Sequence, residues 1–431
     1  MTGAELYAEL SPKQRRVVNA DVATLFSPGG FMPRMTIDEV KRLGSWHPTV
    51  KYKGGTYFLS DRGIAALRRL ETTVSRVTVL ALVVSKHEIS SEVVATHARF
   101  IGREVEPTGQ EFFIEAADSL VASVKAFEFL ALIDGLDLKD VPAVELGSTR
   151  IQRPDRQLFE KINFEGNLDL DSVYKHFEDS LWLVATVTGS PDIAAERFRY
   201  RATLTVGLLA ILGVLQYRGV IWKTRVRAIT PSRDNRKVIT LRWEPKGANP
   251  LVSVNWGEDR TLPVTAESLA YVTRECFFRQ LSALPDRENR DEIQDAIITS
   301  VYWFADAYSD RNPTMQFVKL WSCMECFFSI EKEGVTDLNA KGMAALLTFA
   351  GYSVTTPAEY PRLKARLKKL YDLRSEAVHR GRVGHIETED LETFSRWVAW
   401  VIVSMMSLSE RGYQTLRRVL EEASRLDAGP T

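Results

Sequence analysis

The pattern of apolar and polar positions predicts helices over the C-terminal part of the chain. Apolar side chains recur at Ile293, Ile297, Val301, Phe304 and Tyr308, at spacings of four, four, three and four. This spacing places them on one stripe of an α-helix. Three further segments with a helical pattern follow, at residues 313–330, 358–380 and 391–420. Helices with short connections predict a helical bundle over residues 266–431.

The first 265 residues are punctuated by glycine, serine and polar turns, which predicts smaller α/β modules. Residues 35–44 have the pattern of a short helix. Gly54 and Gly55 separate two β-rich pieces, as in a tight hairpin. Ser60 is placed to cap the helix that follows it. The polar, turn-rich stretch 147–157 predicts a domain boundary.

These boundaries predict an N-terminal α/β module over residues 1–147 and a middle α/β module over residues 148–265. In the middle module, helical patterns cover residues 172–183 and 194–215. Three β-rich segments follow, and the first two are expected to form a hairpin with a longer loop. They are residues 220–229, 237–245 and 250–256. The predicted fold class is therefore mainly α, with a bundle preceded by smaller α/β modules.

Composition narrows the functional classes. The chain has 431 residues, and 56 basic residues balance 56 acidic ones, which excludes a uniformly basic protein. Three cysteines are too few for a disulfide framework, so a cytoplasmic location is expected. The uncharged stretch 202–217 is shorter than the ~20 residues that span a bilayer, which favours a buried helix and no membrane partner. The chain has no Gly-rich phosphate loop, and Cys323 and Cys326 lack a second ligand pair, so no cofactor or metal is expected.

One segment departs from this neutral balance. Residues 362–382 contain eight Lys or Arg residues against two acidic ones. The apolar stripe Leu363, Leu367 and Leu370 continues by four residues to Arg374. A charge on such a stripe requires a partner, an interface or a bound anion, because unpaired burial is costly.

His379 follows Arg374 by five residues, near the expected end of the same helix, where the helix dipole favours imidazolium. An arginine that binds phosphate and a histidine that moves protons are the minimum for cleaving RNA without metal. At ~100° per residue the two side chains are about 140° apart on an ideal helix. They converge only if the helix frays at Gly381 or a second copy contributes its own pair.

The segment Tyr371–Gly381, YDLRSEAVHRG, resembles the R-x4-6-H motif of HEPN domains. It is most similar to the Apea-like HEPN group, which is linked to bacterial anti-phage defence. Residues 296–329 resemble the two preceding helices of that group, with Trp321 and Glu325 as a W-x3-E pair. The resemblance covers only the C-terminal third of the chain.

The resemblance implies a metal-independent endoribonuclease whose active site forms at the two-fold interface of a homodimer. Arg374 would bind the scissile phosphate and His379 would be the acid/base. Ser375 takes the place of the polar residue, often asparagine, that follows the arginine in the wider family. Glu325 either orients Arg374 or forms a plain ion pair with it. Three basic residues are expected to bind substrate: Lys369, Arg380 and Arg382.

Two functions follow from these observations. In the first, the protein is an abortive-infection toxin: its N-terminal modules sense a phage-derived trigger and its bundle cleaves RNA, with tRNA as one candidate. In the second, it is a non-catalytic nucleic-acid-binding or regulatory protein that dimerises through the bundle. The second would bind DNA through a winged-helix-like hairpin region with Lys51, Lys53 and Arg62.

Overall fold

The chain, described here by a computed structural model, divides into two compact units. The N-terminal unit contains Met1–Phe127 and Val187–Arg197, and the C-terminal unit contains Glu128–Thr186 and Phe198–Thr431. The structure describes residues 2–31, 49–52, 55–157, 171, 174–175, 178–217, 226–228, 237–243, 251–255, 261–310, 312–331, 333–352, 354–380 and 386–428. These residues are mainly helical, which confirms the predicted class.

Six of the described helices lie wholly in the N-terminal unit. They are α1 (Gly3–Glu9), α2 (Pro12–Phe26), α3 (Asp61–Ser75), α4 (Thr78–Val83), α5 (Lys86–Arg103) and α6 (Gly109–Ser123). Four of them begin with a capping box, in which a Ser or Thr and the Glu or Gln three residues later satisfy each other's backbone amides. The capping residues are Thr2, Ser11, Ser85 and Thr108. Local sequence therefore fixes where these helices begin.

The predicted hairpin of the N-terminal unit is confirmed. Strand β1 (Thr49–Tyr52) pairs antiparallel with β2 (Gly55–Phe58). The Ser60 hydroxyl then accepts a hydrogen bond from the Gly63 amide at the start of α3, as predicted. The predicted helix at residues 35–44 lies outside the described residues, as do Lys53 and Gly54.

The C-terminal unit contains most of the β-structure of the chain. The strands are β3 (Lys125–Asp134), β4 (Leu136–Leu138), β5 (Ala143–Leu146), β6 (Thr149–Gln152), β7 (Leu181–Gly189), β8 (Arg227–Ala228), β9 (Lys237–Trp243), β10 (Leu251–Asn255) and β11 (Leu262–Val264). Seven of them form one sheet in the order β10-β9-β3-β7-β6-β5, with β8 also paired to β3. Strands β4 and β11 form a separate parallel pair.

The sheet differs from the predicted organisation in three ways. Gly147, with φ of 61°, is the turn between the antiparallel strands β5 and β6, so the predicted boundary falls inside a hairpin. The helix predicted over 172–183 is wrong at its end, because residues 181–183 are buried and begin β7. The hairpin partner of β9 is β10, whereas β8 pairs with β3. The predicted limits at 147 and 265 therefore do not coincide with the limits of the two units.

Helix α7 (Pro191–Gln216) confirms the helix predicted over 194–215. Among the described helices, α7 is the one that is long and apolar enough to cross a membrane. However, 72% of its apolar window is buried inside the protein. This burial is typical of a core helix in a soluble protein, since a lipid-facing helix would keep its apolar surface exposed.

Eight further helices are described along the chain, and those from the third onward pack together as the predicted bundle. They are α8 (Ala266–Glu275), α9 (Phe278–Ala283), α10 (Glu292–Ser309), α11 (Pro313–Phe328), α12 (Val335–Phe349), α13 (Tyr360–Arg380), α14 (Thr388–Glu410) and α15 (Leu416–Asp427). Phe317, Trp321 and Phe394 pack their rings together in the core between α11 and α14. The apolar stripe of α10, from Ile293 to Tyr308, is buried as predicted.

Two features of the bundle differ from the prediction. The segment at 391–420 is not one helix, because the chain turns at Gly412, with φ of 85°, between α14 and α15. Helix α12 was not predicted, and it packs against both α13 and α15. Its Gly342 lies against the ring of Phe328, where a larger side chain has no room. The small residues that permit this close packing weaken the apolar stripe by which a helix is recognised.

Candidate active site

Helix α13 presents one apolar stripe to the bundle and carries the candidate residues at its C-terminal half. Leu363, Leu367, Leu370 and Tyr371 are buried. Arg374 continues the stripe, and its side chain is only 16% exposed. The prediction that this arginine points from the apolar face is therefore confirmed, and its charge requires compensation.

Glu325 of α11 provides that compensation. The Nη2 atom of Arg374 donates to Oε2 of Glu325 at 2.9 Å and also lies 2.9 Å from Oε1. The Glu325 side chain is 22% exposed, so the ion pair is largely shielded from water. Shielding strengthens the attraction and holds the guanidinium in one place. The two residues that the sequence paired are thus in contact.

Tyr371 completes this arrangement, although sequence reasoning assigned no role to its side chain. Its hydroxyl donates to Oε1 of Glu325 at 2.9 Å, and Cζ of Arg374 lies 5.5 Å from the centre of its ring. Burial, followed by the hydrogen bond to Glu325, raises the pKa of Tyr371 to about 12. The phenol therefore remains a hydrogen-bond donor at neutral pH. A separation of three residues on one helix is the signal that relates it to Arg374.

The ring of Trp321 packs against the ring of Tyr371. The two rings meet edge to face, with centroids 5.0 Å apart and an interplanar angle of 84°. Trp321 is fully buried, and its ring centroid lies 4.6 Å from that of Phe394. A continuous set of contacts thus runs from the aromatic core to the guanidinium. Through these contacts each ring limits the movement of the next.

The guanidinium retains unused hydrogen-bonding capacity. Its buried Nε has no hydrogen-bond partner among the residues that the structure describes. A buried donor without a partner is destabilising, and a bound water, an ion or a catalytic role is the usual explanation for one. An oxyanion suits a guanidinium, since its planar N–H groups bind phosphate through two parallel hydrogen bonds, although the enclosed Nε becomes accessible to a ligand only if the side chain shifts.

His379 lies at the exposed end of α13, and Ser375 is half-buried. Four residues separate them, so on an ideal helix they lie about 40° apart on one face. Arg374 and His379 are about 140° apart and separated by about 7.5 Å along the axis. The structure therefore brings Arg374 together with Glu325 but does not bring His379 to the guanidinium within one chain.

Carboxylates from neighbouring helices neutralise much of the basic character of α13. Lys364 contacts Asp427 at 2.6 Å, Lys368 contacts Asp337 at 2.6 Å, and Arg366 contacts Asp390 at 2.7 Å. The charges of these three residues are therefore compensated within the bundle. Lys369 is exposed, as expected for a residue that contacts substrate. The side chains of Arg380 and Arg382 lie outside the described residues.

The two cysteines of α11, Cys323 and Cys326, both have raised thiol pKa values. Cys323 is fully buried, and burial raises its pKa well above the usual range. Burial also raises the pKa of Cys326 to about 12, with a contribution from the charge of Glu325. Within the described residues, no group of three or more His, Cys, Asp or Glu side chains is arranged to hold a metal ion. Both cysteines act there as small apolar side chains.

No protein-family model, no curated protein and no solved structure matches this chain. What the site can do therefore follows from its own residues. They form a shielded arginine with a free donor, an exposed histidine on the same helix, and an acidic residue that holds the arginine in place.

Proposed function

We propose that the C-terminal bundle is a HEPN-type, metal-independent endoribonuclease in which Arg374 binds the scissile phosphate. The observation that carries this proposal is the state of Arg374. It is largely buried and held by Glu325, yet its Nε has no partner among the described residues. Such a guanidinium is pre-oriented for an oxyanion and already has its desolvation compensated by Glu325.

The chemistry requires one anion-binding group and one group that transfers protons. The RNA 2′-oxygen attacks the adjacent phosphorus while the bond from phosphorus to the 5′-oxygen breaks. The products are a 2′,3′-cyclic phosphate and a 5′-hydroxyl. Arg374 stabilises the charge on the phosphoryl oxygens, and His379 accepts the 2′-OH proton or protonates the leaving 5′-oxygen.

A homodimer accounts for the position of His379. In one chain the arginine and histidine project in directions about 140° apart. A second copy of α13, placed across a two-fold axis, brings the histidine of one chain towards the arginine of the other. Ser375, one helical turn before His379, lies on the same face and contacts the substrate or the partner helix.

The resemblance to the Apea-like group supports a role in defence. In this proposal the protein is cytoplasmic, a phage-derived trigger acts through the N-terminal unit, and the bundle then cleaves RNA, with tRNA as one candidate. Lys369, Arg380 and Arg382 hold the RNA backbone near the site. This proposal combines sensing and cleavage in one chain, which the division into two units accommodates.

RNA cleavage by the purified protein in EDTA tests the proposal, with total tRNA and mRNA as substrates. The same variants are expressed in phage-infected cells, and RNA ends are mapped there. His379→Ala and Arg374→Ala should abolish cleavage. The matched controls are His87→Ala, another exposed helical histidine, and Arg366→Ala, another arginine of α13.

Wild-type protein and both controls should leave 2′,3′-cyclic phosphate ends, whereas the two site variants should leave RNA intact. Cleavage that survives both site substitutions would refute the proposal. If the wild type binds RNA but cleaves none, either in purified form or in infected cells, the non-catalytic alternative is favoured instead.

A further inference from the structure

The network around Arg374 contains one hydroxyl that the proposed chemistry does not use. Tyr371 donates to Oε1 of Glu325 at 2.9 Å, while Nη2 of Arg374 is 2.9 Å from each of the two carboxylate oxygens. The carboxylate thus has a donor on either side. Each donor limits rotation of the carboxylate, and the carboxylate in turn sets the direction of the guanidinium.

We infer that Tyr371 is a positioning residue of this site, which aligns Arg374 for the phosphate by fixing the Glu325 carboxylate. The inference rests on the proposed ribonuclease function. Tyr371 acts twice, because its hydroxyl restrains Glu325 and its ring lies beside the guanidinium. Trp321 packs edge-on against that ring and prevents it from turning.

The same helix contains a structural counterpart at its other end. The hydroxyl of Tyr360 donates to Asp427 at 2.9 Å, and Lys364 contacts the same carboxylate. Both tyrosines are buried, on one helix, and bonded to a carboxylate that also pairs with a basic side chain. Only the carboxylate that Tyr371 contacts is also bonded to Arg374. Tyr360 is therefore the matched control for the stability contribution of such a hydrogen bond.

The test compares Tyr371→Phe with Tyr360→Phe, each of which keeps the ring and removes one hydroxyl. The kcat and KM of RNA cleavage are measured for both, together with thermal unfolding. Tyr371→Phe should lower kcat roughly 10- to 100-fold, because a small misplacement of a catalytic group has this effect. Its KM should stay nearly unchanged, since the hydroxyl that is removed contacts Glu325 and not the RNA. The two substitutions should lower the melting temperature by similar amounts, and Tyr360→Phe should leave kcat unchanged.

A second measurement separates positioning from unfolding. Binding of fully 2′-O-methylated RNA, which has no 2′-OH to attack, should be intact in both variants. If the wild type cleaves RNA and Tyr371→Phe cleaves at the same rate, the inference is wrong and the proposed function stands. Equal losses of kcat in the two variants also overturn it, because the effect would then be general destabilisation. If the wild type cleaves no RNA in purified form or in infected cells, the proposed function is wrong and this inference with it.

Discussion

Replacement of Glu325 by alanine should destabilise the bundle far more than replacement of Asp390, although each removes one carboxylate that pairs with an arginine of α13. Glu325 and Arg374 are 22% and 16% exposed, whereas Asp390 and Arg366 are 37% and 47% exposed. Removing one member of a buried pair costs about 3–5 kcal/mol. Some water reaches the Glu325 pair, so we expect about 2–3 kcal/mol for Glu325→Ala, including the lost acceptor of Tyr371. For the exposed Asp390 pair we expect less than about 1 kcal/mol.

Hydrogen exchange of amides in α11 and α13 measures this difference, because it reports the free energy of opening of these helices separately from the N-terminal unit. The effect of Asp390→Ala should shrink further at high salt, whereas that of Glu325→Ala should persist, because water and ions screen exposed pairs more effectively. Equal effects of the two substitutions, or a cost below about 1 kcal/mol for Glu325→Ala, would show that the Arg374–Glu325 pair is not held as described.

Three further predictions concern other parts of the chain. Burial lowers the pKa of His97 to about 4, so this histidine stays neutral in the folded chain while the unfolded chain gains a proton on it below about pH 6.5. The free energy of unfolding should therefore fall by up to about 3 kcal/mol between pH 6.5 and pH 4. His97→Phe should remove this pH-dependent loss from an acid-unfolding series. Gly147 and Gly334 both have positive φ, but only at Gly147 would a Cβ meet the backbone; in urea denaturation Gly147→Ala should therefore cost more than the about 1 kcal/mol expected for Gly334→Ala. Cys323, which is fully buried and whose pKa burial raises well above the usual range, should react with a thiol reagent at pH 7.5 only after unfolding, and rapid labelling of Cys323 in the native protein would contradict its burial.

The site was more predictable than the sheet because its signal is local. Arg374 continues a stripe that repeats every three or four residues, and its burial follows from that repeat alone. The partner, Glu325, was identified from a resemblance in the neighbouring helix. The role of Tyr371 was not predictable, because its hydrogen bond depends on the distance between two packed helices, which periodicity does not specify.

Strands β9 and β10 lie in two of the predicted β-rich segments, whereas β3 was missed because it lacks a strict alternation of buried and exposed positions. Strand β3 buries several consecutive side chains, so it has the apolar run of a buried helix as readily as that of a strand. Its neighbour β7 follows about fifty residues later in the chain, and no local pattern relates the two. The turn-rich stretch at Gly147 predicts a boundary where the structure has a hairpin, because glycine marks tight hairpin turns and domain limits alike.

The pairing of Lys364, Arg366 and Lys368 with carboxylates changes how this helix meets a polyanion. A lysine that already faces an aspartate displaces few of the cations condensed on RNA, so it adds little entropy to association. The gain in affinity from a basic helix therefore shrinks to the few side chains that remain free. In a protein without net charge, such a helix gains little from the sequence-independent attraction that draws basic proteins to a polyanion. A nuclease with this surface would select its substrates by the fit of a particular strand at the cleavage point. The affinity of such a nuclease for RNA would depend only weakly on salt concentration.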